Sequence, residues 1–194
     1  FVIKKINVYF CSPNFQRRIK VDYLKQFVIP FHGLKVGKHH YEYNIDNEFF
    51  EYFEYTEFAE GSFRIEIVLE KQERMLELDF SIKGEAKLLC DRCAGEYMQD
   101  VQGSNRLIVK FGSEEQEISD EILVIPESKH HLDISPFIYE YIILHLPYKR
   151  LHPQGEKGES TCDPEMIRLL EAKAKTASAD PRWDELKKIK FKTK

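Results

Sequence analysis

Cys90 and Cys93, separated by two residues in "KLLCDRCAGEYMQ", are the side chains of this 194-residue sequence best spaced for chemistry. A two-residue spacer lets one tight turn present two thiolates to a single zinc ion, which takes soft, deprotonated ligands in a tetrahedron. No second CxxC follows, so further ligands must come from a distance. His152 and Cys162 lie together in the stretch after Pro147, which makes Cys90, Cys93, Cys162 and His152 a candidate Cys3His set. Cys162 also precedes a helix start, where peptide dipoles favour a thiolate. The same spacing fits two small apolar side chains at the end of a strand, with Cys162 incidental. A redox pair fits least well, because thioredoxin-type cysteines open a helix inside a βαβ unit and no such unit is legible here. On the residues alone, the metal and core readings both stand.

The elements that must position these cysteines are mostly strands. Phe63, Ile65, Ile67 and Leu69 alternate with polar residues, as do Leu76, Leu78, Phe80 and Ile82, and the short link "QERM" makes the two runs a hairpin. Period two with polar partners means antiparallel strands buried on one face. Residues 41–45, 85–90, 102–112 and 121–126 read as further strands, and Gly95 supplies backbone freedom for the cysteine turn. Two helices fit the body. One is "DNEFFEYFEYTEF", capped by Asp46 or Asn47, with Phe49, Phe50 and Phe53 on one face. The other is "SPFIYEYIIL", where Ser135 caps and Pro136 sits in the first turn. Its stripe is Ile134, Phe137, Ile138, Tyr141 and Ile142, and it must stop before Pro147. A third helix begins at "DPEMIRLLEAKAK" with Asp163 as cap, and "DPRWDELKKIKF" carries Trp183, Leu186 and Ile189 at spacings that dock one face. The acidic run "EEQEISDE" reads as a solvated loop.

The expected fold is therefore α+β: an antiparallel sheet, with scope to curl into a barrel, two or three packed helices and a C-terminal helical tail. In domain terms, residues 1–20 read as an extension, 21–147 as the α+β core, and 148–194 as a loop plus a helical segment docking on it. Four cysteines in 194 residues are too sparse for a secreted disulfide scaffold and fit reduced thiols in a cytoplasmic protein. No apolar run reaches membrane-spanning length. The net charge of −4 conceals basic ends: residues 1–20 hold five Lys/Arg and no acid, and the stretch from Arg182 onward is also basic. An acidic body excludes one broad basic face for nucleic acid but leaves local patches. With no phosphate loop, serine elbow or HExxH motif, no enzyme is read here. His130 and His131 precede a helix and His39 and His40 precede a strand, and both pairs read as loop residues rather than ligands.

Taken in order, "CDRCAGEY", "LIVKFG", "ISPFIYEYIILHLPYKRLHP", "TCDPEM" and "DPRWDELKKIK" resemble the YceD family of bacterial proteins, across residues 21–190. The likeness is closest to members of the Bacteroidetes lineage. Many relatives carry a bulky residue where this chain has Ala94, and some have additional C-terminal cysteines. The resemblance implies a non-enzymatic factor in large-subunit ribosomal RNA accumulation or processing. It also implies contact with that RNA or its precursor, or with a ribosomal protein, and neither a membrane nor a small-molecule substrate. It groups Cys90 and Cys93 with Cys162, with His152 as fourth candidate for zinc. Arg92, Lys149 and Arg150 are the candidates for RNA phosphates, and Tyr97, Tyr148 or Trp183 for base stacking. The alternative is a protein-interaction adaptor that binds a basic ribosomal protein without touching RNA.

Overall fold

The computed structural model describes residues 23–53, 56–58, 60–155 and 158–176. Residues 1–20, Cys11 and the "DPRW" element lie outside them. The residues group into two units, Phe1–Leu88 with Met98–Tyr148, and Leu89–Tyr97 with Lys149–Lys194. Among the described residues no helix is long and apolar enough to cross a membrane.

The alternation read from the sequence forms the centre of a six-stranded sheet. β3 (Glu60–Lys71) and β4 (Met75–Leu89) pair antiparallel from Glu60↔Lys87 to Lys71↔Leu76. Gln72 N–H donates to the Met75 carbonyl at 2.9 Å to close the hairpin. Phe63, Ile65, Ile67 and Leu69 are buried, as are Leu76, Leu78, Phe80 and Ile82. The runs 76–82 and 85–90 belong to one continuous strand up to Leu89, because Gly84 keeps the phase between Ile82 and Ala86. Glycine is needed there: a Cβ on Gly84 would collide with the Ser62 carbonyl oxygen and lie 2.7 Å from the Phe63 Cα across the hairpin.

β2 (Gly37–Ile45) pairs antiparallel with the other side of β3, so His39 and His40 lie within a strand rather than before one. β5 (Glu96–Gly112) follows β4, and the full order is β2-β3-β4-β5-β7-β6. β6 (Gln116–Ser119) lies in the acidic run read as a loop, and it is an edge strand. β7 (Ile122–Pro126) runs parallel to β5, so the sheet is not wholly antiparallel. Composition explains the order. β7 buries Leu123 and Ile125 and takes the inner place, while every residue of β6 is exposed. The sheet is open, with β2 and β6 at opposite ends, so it does not curl into a barrel. Its inner face is covered by helix and aromatic rings, which removes the need to close.

That cover starts with a two-stranded pair, β1 (Val28–Ile29) and β8 (Leu132–Asp133). A short helix, α1 (Asn47–Phe50), has only four residues, capped by the Asp46 carboxylate, which accepts from Glu48 N–H at 3.1 Å. Phenylalanine and tyrosine are middling helix formers, and beyond Phe50 the rings pack rather than propagate a helix. Phe50 meets Phe58 edge-on at 4.7 Å, and Phe53 stacks on Tyr139 at 4.1 Å. α2 (Ser135–Leu144) ends before Pro147 as expected. Its first turn is held by Asp133 rather than by a Ser135 cap, with the Asp133 carboxylate accepting from Ser135 N–H at 2.9 Å and from its hydroxyl at 2.7 Å. Ile138, Tyr141 and Ile142 are buried, and Tyr141 meets Phe80 of β4 at 5.1 Å. The face of the sheet away from this core is charged and largely paired, as in Arg64–Glu42 at 2.8 Å and Arg106–Asp79 at 2.7 Å.

Gly84→Ala should therefore lower stability by about 2–3 kcal/mol, since the clash is with backbone that cannot step aside. Gly33→Ala, which has open space around it, is the matched control. Urea unfolding of both variants with equal midpoints would contradict this reading of β3 and β4.

Candidate metal centre

The second unit contains Cys90, Cys93 and Cys162. β4 ends at Leu89 and β5 begins at Glu96, so residues 90–95 are the whole connection. The turn closes on itself: Cys90 N–H donates to the Gly95 carbonyl at 2.9 Å, and Ala94 N–H to the Cys90 carbonyl at 2.8 Å. Its left-handed residue is Ala94, at φ 56°, and not Gly95 as the sequence implied. Gly95 is needed for closeness instead. A Cβ there would stand 3.3 Å from His152 Cε1 and 3.4 Å from Cys93 Sγ.

The loop beginning at Lys149 is tied to this turn through Asp91. Asp91 N–H donates to the Arg150 carbonyl at 2.7 Å, and Arg150 N–H donates to the Asp91 carboxylate at 2.8 Å. Two residues further on, His152 faces the cysteines, with its ring 5.1 Å from that of Tyr97. Cys162 comes from the foot of α3 (Pro164–Thr176), where Asp163 is the cap, its carboxylate accepting from Glu165 N–H at 2.9 Å.

These segments bring the four sequence candidates together. The ligand atoms of Cys90, Cys93, His152 and Cys162 all lie within 4.8 Å of one another. The three cysteines are free thiols, exposed by only 3%, 4% and 8% in chain order. Cys90 Sγ stands 3.8 Å from Cys162 Sγ, and Cys93 Sγ stands 3.4 Å from His152 Nδ1. Zinc with sulfur at about 2.3 Å and nitrogen at about 2.0 Å in a tetrahedron sets sulfur–sulfur edges of about 3.8 Å and sulfur–nitrogen edges of about 3.5 Å. The donor set fits in identity and number, and these two distances match tetrahedral edges.

Its electrostatics are uneven. Burial works to raise the Cys90 thiol, but the backbone N–H groups of Cys93, Arg92 and His152, with the His152 side chain, outweigh it and bring the pKa down to about 6. Arg92 N–H lies 3.4 Å from that sulfur. Cys162 goes the other way. Its bond with Ser160 favours the thiolate, but burial and the neighbouring Cys90 and Cys93 sulfurs prevail and push it up, against the thiolate expected at a helix start. The Tyr97 phenol is raised by burial and by the charges of Cys90 and Asp91, and its hydroxyl is buried with no hydrogen-bond partner among the described residues.

Of the residues read for nucleic acid, Arg92 and Lys149 are exposed and Arg150 is half-buried. The Asp91–Arg150 bonds bring their two loops side by side. Tyr97 is buried at 8% exposure, held inward beside His152, and cannot stack on a base as it stands. Tyr148 is 98% exposed, and Trp183 lies outside the described residues. Sequence reasoning missed Asp91, Ser160 and the inward role of Tyr97. Asp91, between two cysteines and with a short side chain that turns the backbone, was the one with a signal.

Three thiols and one imidazole, carried by a hairpin turn and a distant loop of an α+β protein, define a Cys3His donor class. A family model described as "Large ribosomal RNA subunit accumulation protein YceD" matches residues 78–190, and the chain belongs to that family. The match covers the C-terminal part of the stretch over which the motifs carry the resemblance. Comparison with the curated proteins and with the solved structures gave no match.

In metal-free protein, thiolate ultraviolet absorbance should rise in a first step with a midpoint about 6, assignable to Cys90, with Cys162 ionising at higher pH. Cys90→Ser should abolish that step. A wild-type titration with no ionisation below the ordinary thiol range would contradict the account of the turn.

Proposed function

We propose that this protein acts in the cytoplasm as a non-enzymatic factor in large-subunit ribosomal RNA processing and ribosome assembly, and that it contacts the RNA through its second unit. Its family carries a description as a ribosomal RNA accumulation protein and is not a known enzyme family. The observation that carries the reading is the gathering of Cys90, Cys93, His152 and Cys162 within 4.8 Å, because a zinc ion held there would fix two loops as one rigid piece. Arg92 on one loop and Lys149 and half-buried Arg150 on the other are then the candidates for phosphates, and the metal's role is structural.

The distribution of charge supports this choice of surface. Much of the cationic charge on the outer face of the sheet is paired with its own acids: Lys38 with Glu70, Arg64 with Glu42 and Glu66, Lys87 with Glu60 and Arg106 with Asp79. Cations already paired with acids attract a polyanion less strongly.

A second reading, an adaptor for a basic ribosomal protein, is favoured by a different region. Glu114, Glu117, Asp120 and Glu121 are all exposed around β6, and the Glu140 carboxyl is raised by burial and by the charges of Glu117 and Asp120. That strip would attract a cation and repel RNA.

Crosslinking in growing cells separates the two readings. The wild type should crosslink to large-subunit ribosomal RNA or its precursor, and Arg92→Glu with Lys149→Glu should reduce the yield about tenfold by replacing attraction with repulsion at two phosphates. Undiminished crosslinking would refute the assigned surface. Salt-sensitive capture of a basic ribosomal protein with no RNA crosslink would select the adaptor.

A further inference from the structure

The two edges of the six-stranded sheet are built differently. β6 has four residues, a register break between Glu117 and Ser119, and an acidic side chain at Glu117 with Glu114, Glu115, Asp120 and Glu121 flanking the strand. Shortness, a bulge and charge are the devices that keep an edge strand from pairing with another chain. β2 has none of them in that form. Its nine residues run in unbroken register on β3 from Gly37↔Lys71 to Ile45↔Phe63, without proline or bulge. Among the described residues, no strand pairs with its outer side. Half of the β2 backbone groups point to that side in an antiparallel ladder, as a ready template for one more strand.

We propose that the outer edge of β2 pairs antiparallel with β2 of a second copy of this chain, joining the two sheets across a twofold axis at His40. The charge pattern selects this occupant. The exposed face of β2 reads Lys38, His40, Glu42, Asn44. Pairing about His40 sets Lys38 of each copy opposite Glu42 of the other, and the symmetry makes that match twice. Moving the axis to Lys38 or to Glu42 sets like charges face to face, and so does parallel pairing in register. On the other face, His39 meets Tyr41, and both are half-buried. A uniformly basic or acidic peptide would meet one favourable and one unfavourable charge along the same edge. Lys38 and Glu42 already have partners in their own chain, Glu70 at 3.7 Å and Arg64 at 2.8 Å. Their side chains remain 65% and 50% exposed, which leaves room for a second ion pair.

Sedimentation equilibrium on the full chain should show a monomer–dimer equilibrium, and hydrogen exchange should show β2 amides whose protection falls on dilution. Glu42→Lys, which faces like charges at both matched positions, should raise the dimer dissociation constant about tenfold. Adding Lys38→Glu restores opposite charges and should return it to near the wild-type value. Four results would each overturn the proposal: a monomer at every concentration, a dimer indifferent to Glu42→Lys, a double variant as weak as the single one, or β2 protection that does not change with concentration. The last would assign the edge to another segment of the same chain.

Discussion

The second unit depends on how much negative charge a buried cluster of thiols can hold. The turn at residues 90–95 aims backbone N–H groups at Cys90 and, against burial, helps bring its pKa down to about 6. The charge it then carries raises Cys162 and Tyr97 beside it. Without a cation, the Cys90 thiolate opposes ionisation of Cys162 beside it. A divalent ion reverses that relation, since each thiolate then shares a positive centre. Ala94 in the left-handed region and the missing side chain at Gly95 both follow from folding the turn tightly enough to bring sulfur and imidazole together. Backbone of this kind costs about 1–3 kcal/mol per residue and persists where the surroundings over-determine it.

In the first unit the controlling constraint is simpler. Period-two alternation in β3 and β4 fixes which face is buried, and a slip of one residue would expose Phe63 through Leu69 together. α2 and the rings of Phe27, Phe49, Phe53 and Tyr139 cover that face. The opposite face remains a solvated lattice of ion pairs, each worth about 0–1 kcal/mol. Its contribution is to cancel much of the charge on the sheet face, in contrast to the exposed acids Glu114, Glu117, Asp120 and Glu121 around β6.

These two kinds of constraint differ in how visible they are in a sequence. Alternation is local, so the β3–β4 hairpin, the position of α2 and the Asp163 cap could all be read directly. The parallel pairing of β7 with β5 could not, because it depends on β7 being more apolar than β6 and displacing it from the sheet interior. α1 was expected to be longer, since its phenylalanines share a face at helical spacing. The rings prefer each other's company beyond Phe50. At the site, Cys90 and Cys93 announced themselves by spacing, whereas His152 and Cys162 were chosen as the nearest suitable side chains in one loop, and their convergence rests on the Asp91–Arg150 backbone bonds that no motif records. Tyr97 was misjudged for the same reason: an aromatic next to a cysteine turn looks available until His152 is seen beside it.

The central claim, that these four side chains close around one metal, is tested most directly by X-ray absorption at the zinc edge on freshly purified protein. The account predicts one zinc shell of three sulfurs at about 2.3 Å and one nitrogen at about 2.0 Å. Zinc bound only by oxygen and nitrogen, or folded protein that takes up no zinc at all, would contradict it.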